Sequence, residues 1–419
     1  MKRKSNKKLD YIVSTLLSLL FGIGVFFLIF KIVPSPEELA RLASVQAKEL
    51  IKKAKSLKIT SKVVKIDASD SSSFILKSDG TLWATGSNLS GKIGLRDEKS
   101  TNNFTLVLKD VVDISAGDTH SLALKKDRSL WGTGKNKFGQ LGNGEFISTP
   151  NTSQKIKLYL KKFGLFELKQ SNEWIQLLDK TKNISSGWRN SYALSISESL
   201  MASGMSVKNA TANLTNFESD DWIQVMSTAS KVDSGFYTTF VLKKNGSLWA
   251  RGQNYDGQLG KKGLKTSQKW TKVLSNVDEV SSGISYSMAL KKDGKLWGTG
   301  WNQMGQLGTG NSKNSDKWVN VMKGVKSVSC GGAHTLVLKS DGTLWGTGKN
   351  DLGQLGLSER TGTLSWVMLS KNVIEVSAGK YYSLALKKDG SVWGTGSNDW
   401  GQLGVSGNKT INTWTPVFK

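Results

Sequence analysis

Reactive side chains are scarce in this 419-residue chain, and their spacing argues against a catalytic centre. The two histidines, His120 and His334, lie 214 residues apart, so no multi-histidine metal site is expected. Cys330 is the only cysteine, which excludes internal disulfides and zinc or iron–sulfur sites built from cysteine motifs. We find no paired carboxylates, no Ser-His-Asp grouping and no Gly-Lys-Ser phosphate loop. The expectation is therefore no catalytic residue, no metal ligand, no cofactor and no enzymatic activity. Binding chemistry is better supplied. Trp188, Trp301 and Trp400, with Arg189, Tyr237, Tyr286, Tyr381 and Tyr382, fall in turn segments. Loose aromatics in turns beside an arginine are the usual anchors of a binding surface, and these eight residues form the candidate site.

The elements that position them repeat. Trp249, Trp297, Trp345 and Trp393 are spaced 48 residues apart, as are Trp83 and Trp131, each in a phrase such as Asp-Gly-Thr-Leu-Trp-Gly-Thr-Gly. Met201 takes the empty slot 48 before Trp249 and leaves 22 extra residues ahead of it, which makes seven units. A second register follows 21 residues on, at Phe104, Trp222, Trp270, Trp318, Trp366 and Trp414. Its seventh member, Trp174, stands 43 after Trp131, so one insertion near 150–171 explains both disturbances. Its sequence, Lys155-Ile-Lys-Leu-Tyr-Leu-Lys-Lys-Phe-Gly-Leu-Phe-Glu-Leu-Lys, reads as a hairpin packed on the ring edge. Twelve of the 15 tryptophans sit in the two registers, and Trp188, Trp301 and Trp400 are the three that do not.

Within the unit from Val325 to Trp366, Lys326–Cys330 reads as a strand, Thr335–Lys339 as a second and Leu344–Gly348 as a third; the fourth contains Trp366. Asp341-Gly342 reads as a two-residue hairpin turn with both residues at positive φ. Four antiparallel strands per unit and seven units predict an all-β, seven-bladed propeller over 60–419. The body opens on an inner-strand phrase, Lys62-Val-Val-Lys, and ends on an outer-strand phrase, Trp414-Thr-Pro-Val, so the two ends are expected to pair and close the ring. Alternating strand direction gives one face the 1–2 and 3–4 turns, which carry the candidate aromatics. The other face collects a basic ring of Lys77, Lys125-Lys126, Lys243-Lys244, Lys291-Lys292, Lys339 and Lys387-Lys388.

The phrases Val-Ser-Ala-Gly-x-x-His-Ser-Leu-Ala-Leu and Leu-Trp-Gly-Thr-Gly-x-Asn, with Gly-Gln-Leu-Gly at 139–142, 257–260, 305–308, 353–356 and 401–404, resemble the regulator of chromosome condensation repeat family. The resemblance implies a seven-bladed ring and covers roughly 60–419. The third unit departs from it, with Gly187-Trp-Arg-Asn and no Gly-Gln-Leu-Gly. His120 and His334 occupy the turn position where the family carries a recurrent histidine, and a structural role is expected of them. As an alternative, the resemblance implies guanine-nucleotide exchange or chromatin binding like the family founder, with the insertion at 150–171 as the place for a projecting wedge.

Ahead of the repeats, residues 11–33 form an apolar run with Lys31 as the only charge, long enough for a membrane helix and without a small-x-small cleavage site. The basic tail over 1–10, with Lys2, Arg3, Lys4, Lys7 and Lys8, places the N-terminus in the cytoplasm by the positive-inside rule. Residues 35–58 then read as a helical stalk that opens on Ser35-Pro36-Glu37-Glu38. The net charge of +25 is not confined to the tail, since residues 60–419 still carry 46 basic against 29 acidic side chains. Solubilising lysines on turns account for that excess, and nucleic acid is not the expected partner. These readings converge on a single-pass, signal-anchored scaffold in a bacterial cell membrane. Its extracytoplasmic propeller would present an aromatic face to a protein, peptide or glycan; a propeller hydrolase or lyase is the remaining alternative.

Overall fold

The computed structural model describes residues 61–144, 170–205, 219–407 and 409–419. The tail at 1–10, the span at 11–33, the stalk at 35–58 and nearly all of the insertion at 150–171 lie outside the described residues. No helix among the described residues is long and apolar enough to cross a membrane. Among these residues, 28 strands form seven antiparallel sheets, each built from four consecutive strands. The degenerate third unit makes a full blade like the others, over 181–226.

Blade 6 shows why the sequence folds this way. Its strands are Val325–Cys330, His334–Lys339, Leu344–Gly348 and Thr363–Ser370. The second is buried at every position but the last, because neighbouring blades cover both of its faces. The Asp341-Gly342 turn differs from the two-residue hairpin expected. Only Gly342 takes positive φ, +81°, and its N–H donates to the Lys339 carbonyl at 3.0 Å. Lys339 N–H in turn donates to the Thr343 carbonyl, which makes a longer turn ending in a left-handed residue. Asp341 accepts from Thr343 N and Oγ1 at 2.8 and 2.6 Å and so needs no left-handed backbone itself.

The repeated phrases meet between blades. The last glycine of each Gly-Gln-Leu-Gly turn lies against the second-register aromatic of the next blade: a Cβ on Gly308 would stand 2.3 Å from Trp366 Nε1, and one on Gly356 2.5 Å from Trp414 Cδ1. The first glycine offers its carbonyl to the next blade's Leu-Trp-Gly-Thr threonine, as Gly305 O does to Thr347 Oγ1 at 2.8 Å and Gly401 O to Thr85 Oγ1 at 2.9 Å. A third set runs along the channel wall. Asp67, Ser115, Ser185, Ser281, Ser329 and Ser377 each accept a backbone N–H of the following blade at 2.8–3.0 Å, and Asp233 accepts the Ser282 hydroxyl.

The expected strand exchange at the ends does not occur. Blade 1 is made entirely from 63–108 and blade 7 from 373–418, because each unit already supplies its own inner and outer strand. The ring closes through side chains: Ser377 Oγ accepts Ala68 N–H at 2.9 Å, Tyr382 Oη donates to Ser72 O at 2.7 Å, and Ser73 Oγ donates to Gln402 O. Val63, Ile66 and Ile75 of blade 1 share a hydrophobic cluster with Leu384, Leu386 and Leu403 of blade 7.

Candidate functional site

The turns between first and second strands converge on one mouth of the central channel, where residues at one repeat position face each other: Asp70, Asp118, Trp188, Phe236, Ile284, Gly332 and Lys380. They border a cavity of about 110 Å³. The ring is chemically two-sided. Trp188 stacks on Phe236 at 5.7 Å between centroids, with planes 26° apart, and Tyr237 meets Trp188 edge-on at 5.6 Å. The Arg189 guanidinium covers the Trp188 ring at 3.6 Å and reaches Phe138 at 4.4 Å, so the aromatic wall carries a cation on its outer side.

The opposite side is ionic. Lys380 Nζ lies 3.1 Å from Asp70 Oδ1, and 5.5 and 5.2 Å from the rings of Phe236 and Tyr381. Burial disfavours the Lys380 ammonium, yet Asp70 outweighs it and holds the pKa above the ordinary lysine value. Burial, then the neighbouring Asp70, push the Asp118 carboxyl up to about 7, and burial brings Lys92 down to about 8.

Among the other sequence candidates, Trp301 and Tyr381 line a second depression of about 310 Å³ with Met304 and Ile284. Trp400, 46% exposed, stands on the blade 7 loop and lines neither depression. Tyr286 and Tyr382 are not on the face, contrary to expectation: both are fully buried. Each ring lies on the glycine three residues before it, where a Cβ would come within 2.2 Å, and its hydroxyl crosses to the next blade. Tyr286 donates to the carbonyls of Gly331 and His334. The same column holds His120 and His334, whose Nε2 atoms meet Ser191 and Ser383 Oγ at 2.8 and 2.9 Å; burial brings both imidazoles down to about 3. The column is a set of blade-to-blade staples. His120, Tyr286, His334 and Tyr382 fall at one repeat position and all carry a hydrogen-bonding group, a signal present in the sequence. Phe236, Lys380, Asp70 and Asp118 were not among the sequence candidates, and only the closed ring brings them together.

The basic ring on the opposite face is largely committed to packing. Lys77, Lys125, Lys243, Lys291, Lys339 and Lys387 place their ammonium groups 3.6–5.0 Å from the centroid of their own blade's first-register tryptophan. In blade 3 both partners change together, to Ser195 and Met201. Of the second lysines, Lys126 reaches Asp110 in the connection that enters its own blade, and Lys244 reaches Glu198 of the preceding blade.

The channel wall holds carboxyls pushed up by burial, Asp67 and Asp233 to about 6, Glu279 and Glu375 to about 7. Asp233 occupies a ring-lock position that is serine in five blades. Below about pH 4 it carries a proton in both folded and unfolded chains and costs nothing. As pH rises through 4 to 6 the unfolded chain ionises first, so the folded state loses stability and the full cost is present above pH 6. Asp233→Ser should therefore stabilise the propeller at pH 7.5. Asp233 is only partly buried, and solvent screening keeps that gain to about 2 kcal/mol, below the ~3 kcal/mol of full conversion. The gain should vanish at pH 4. Denaturation midpoints at both pH values check this, and an equal gain at each would show that charge burial is not its source.

Six stretches, 63–92, 111–140, 229–258, 277–306, 325–354 and 373–402, match the Regulator of chromosome condensation (RCC1) repeat, and 293–338 matches a second description of the same repeat. Blade 3 is absent from these matches. No curated protein sequence matches. Among solved structures, yeast RCC1 (Prp20) bound to Kap60 is 18% identical, with 87% of this chain and 86% of that chain covered and a TM-score of 0.68. Human WBSCR16 is 20% identical, with 81% and 93% covered and a TM-score of 0.65. The Prp20p structure from Saccharomyces cerevisiae, described with its binding to Gsp1p and histones, is 19% identical, with 86% and 88% covered and a TM-score of 0.65. At these identities the likeness is one of fold.

Proposed function

The chain belongs to the regulator of chromosome condensation repeat family, and from that premise we propose that it is a non-enzymatic binding scaffold. Its propeller presents the aromatic face to a protein, peptide or glycan partner. The observation that carries this reading is the ladder Arg189–Trp188–Phe236 with Tyr237, held at the channel mouth. Its surroundings supply three more aromatics: Tyr255, Trp400 and Tyr381 are 67, 46 and 37% exposed on the same set of loops. Rigid aromatics on a preordered ring lose little entropy on binding, which suits them as anchors.

The anchoring part of the proposal rests on residues 11–33 and the basic tail before them: a single membrane pass, cytoplasmic N-terminus and extracytoplasmic propeller. The lysine and asparagine content and the absence of disulfides support a bacterial cell membrane. Crosslinking from intact membranes, with a topology reporter fused at Lys419, tests both parts. Replacing Trp188, Trp301 and Trp400 together by alanine should reduce crosslinked partners at least about tenfold, since anchors of this kind carry about 1–2 kcal/mol or more each. Changing Lys292 and Lys388 on the opposite face should leave them intact. An unchanged partner set in the triple variant would remove the face from consideration. A reporter active in the cytoplasm would overturn the orientation.

A further inference from the structure

A cavity of about 380 Å³ bordering the face lies between blades 3 and 4 rather than in the channel. The sequence of blade 3 carries no Gly-Gln-Leu-Gly phrase. In the other blade contacts, that turn gives a carbonyl to the next blade's threonine, or to Ser203 in blade 3, and a glycine to its second-register aromatic. Blade 4 shows both partners altered. Arg251 replaces the threonine, and Trp270, with no glycine turn to lie on, has the Arg251 guanidinium 4.9 Å from its ring centroid.

Arg251 is 5% exposed. One guanidinium nitrogen donates to Tyr192 Oη at 2.6 Å, which is a neutral acceptor. No carboxylate among the described residues pairs with Arg251 or with Arg189, which lines the same cavity. A buried guanidinium without a counter-ion is costly, and its planar fork of donors matches a carboxylate. Trp188 and Tyr237 supply an apolar wall to the cavity, and its volume suits a small molecule or one terminal residue of a peptide.

We propose that this cavity is a carboxylate-binding site. Arg251 at its floor reads the anion, Arg189 adds a second positive charge, and Trp188 with Tyr237 packs on the apolar part of the ligand. The inference rests on the reading of this face as a binding surface and names the chemistry it takes.

Isothermal titration of the full chain in detergent tests it with N-acetyl-L-tyrosine and N-acetyl-L-tyrosinamide, which differ only in the charge of one terminal group. The acid should bind at least about tenfold tighter than the amide. Arg251→Thr, the residue five other blades carry here, should abolish that preference, and Arg189→Gln should weaken acid binding about fivefold without altering the fold. Equal binding of acid and amide, or binding of neither, overturns the proposal, as does a preference that survives Arg251→Thr. Inorganic phosphate that displaces the acid at equal concentration would overturn the carboxylate assignment. Loss of crosslinked partners in the tryptophan variants, with no acid preference, would leave the binding face standing and remove only this inference.

Discussion

Alanine at Gly356 is expected to destabilise the propeller by about 3–4 kcal/mol, whereas alanine at Gly390 should cost only about 1 kcal/mol. Both glycines hold positive φ, +70° and +86°, so the backbone penalty for an L side chain is shared. They differ in what the new Cβ meets. At Gly390 nothing lies within 4 Å; at Gly356 it would stand 2.5 Å from Trp414 Cδ1, and the indole has no slack, because its Nε1 donates to Leu355 O at 3.1 Å. Relief requires the indole to leave its seat between blades 6 and 7, which gives up buried area and a hydrogen bond together. Denaturant unfolding of the two variants separates the terms. Equal losses at both positions would mean that φ alone accounts for the glycine and that the glycine–tryptophan contact contributes little.

That contact also explains why the fold was legible from spacing. The second aromatic register and the Gly-Gln-Leu-Gly phrases repeat because the blade interfaces other than that between blades 3 and 4 reuse them: the glycine of one unit and the aromatic of the next are halves of a single joint. The Lys-Lys pairs repeat for the same reason, with the first ammonium seated over the indole of its own blade. A periodic residue therefore signals packing even when it is charged, which is why the basic ring looked like a surface feature from sequence and is committed to the blades in the structure. Tyr286 and Tyr382 misled in the opposite sense. A tyrosine beside a glycine turn resembles an exposed loop residue until the missing Cβ is recognised as the seat for its ring. The mouth was not legible, because Asp70, Asp118, Phe236 and Lys380 are individually ordinary turn residues, and only ring closure places them across one cavity from Trp188.

Blade 3 concentrates the departures from the repeat, and they are mutually consistent. Ser195 and Met201 replace the stacked lysine and tryptophan as a pair, and the absent glycine turn is answered by Arg251 in the next blade. Relaxing the packing rules of one unit frees its loops for other chemistry. Trp188 and Arg189 stand in that unit and line the cavity between blades 3 and 4. Of the three tryptophans outside the registers, Trp188 stands in the unit that breaks the pattern, whereas Trp301 and Trp400 stand on loops of the regular blades 5 and 7.

Tyr382→Ala should cost about 4 kcal/mol and Tyr382→Phe about 0.5–1.5 kcal/mol, with consequences that depend on where this staple sits. The hydroxyl donates to Ser72 O at 2.7 Å and lies 3.0 Å from Ser73 Oγ, so phenylalanine removes the direct bond to blade 1, while Ser72 O keeps Ser69 N–H and Ser73 Oγ keeps Gln402 O. Alanine also empties the ring's seat among Val63, Ile66 and Ile75. Tyr286 makes the equivalent bridge from blade 5 to blade 6, and Tyr286→Phe should lower global stability by a comparable amount. There the chain itself still joins the two blades. Between blades 7 and 1 no covalent link exists, and loss of the staple lowers the free energy of opening the ring as well as that of unfolding it. Amide exchange in Val63–Ala68 should therefore accelerate about 2- to 12-fold in Tyr382→Phe and remain near wild-type rates in Tyr286→Phe under native conditions. Unchanged exchange in Tyr382→Phe would transfer the closure to the remaining contacts, of which the Ser377–Ala68 hydrogen bond and the Phe104–Phe418 edge contact, at 5.2 Å between centroids, are the next to remove.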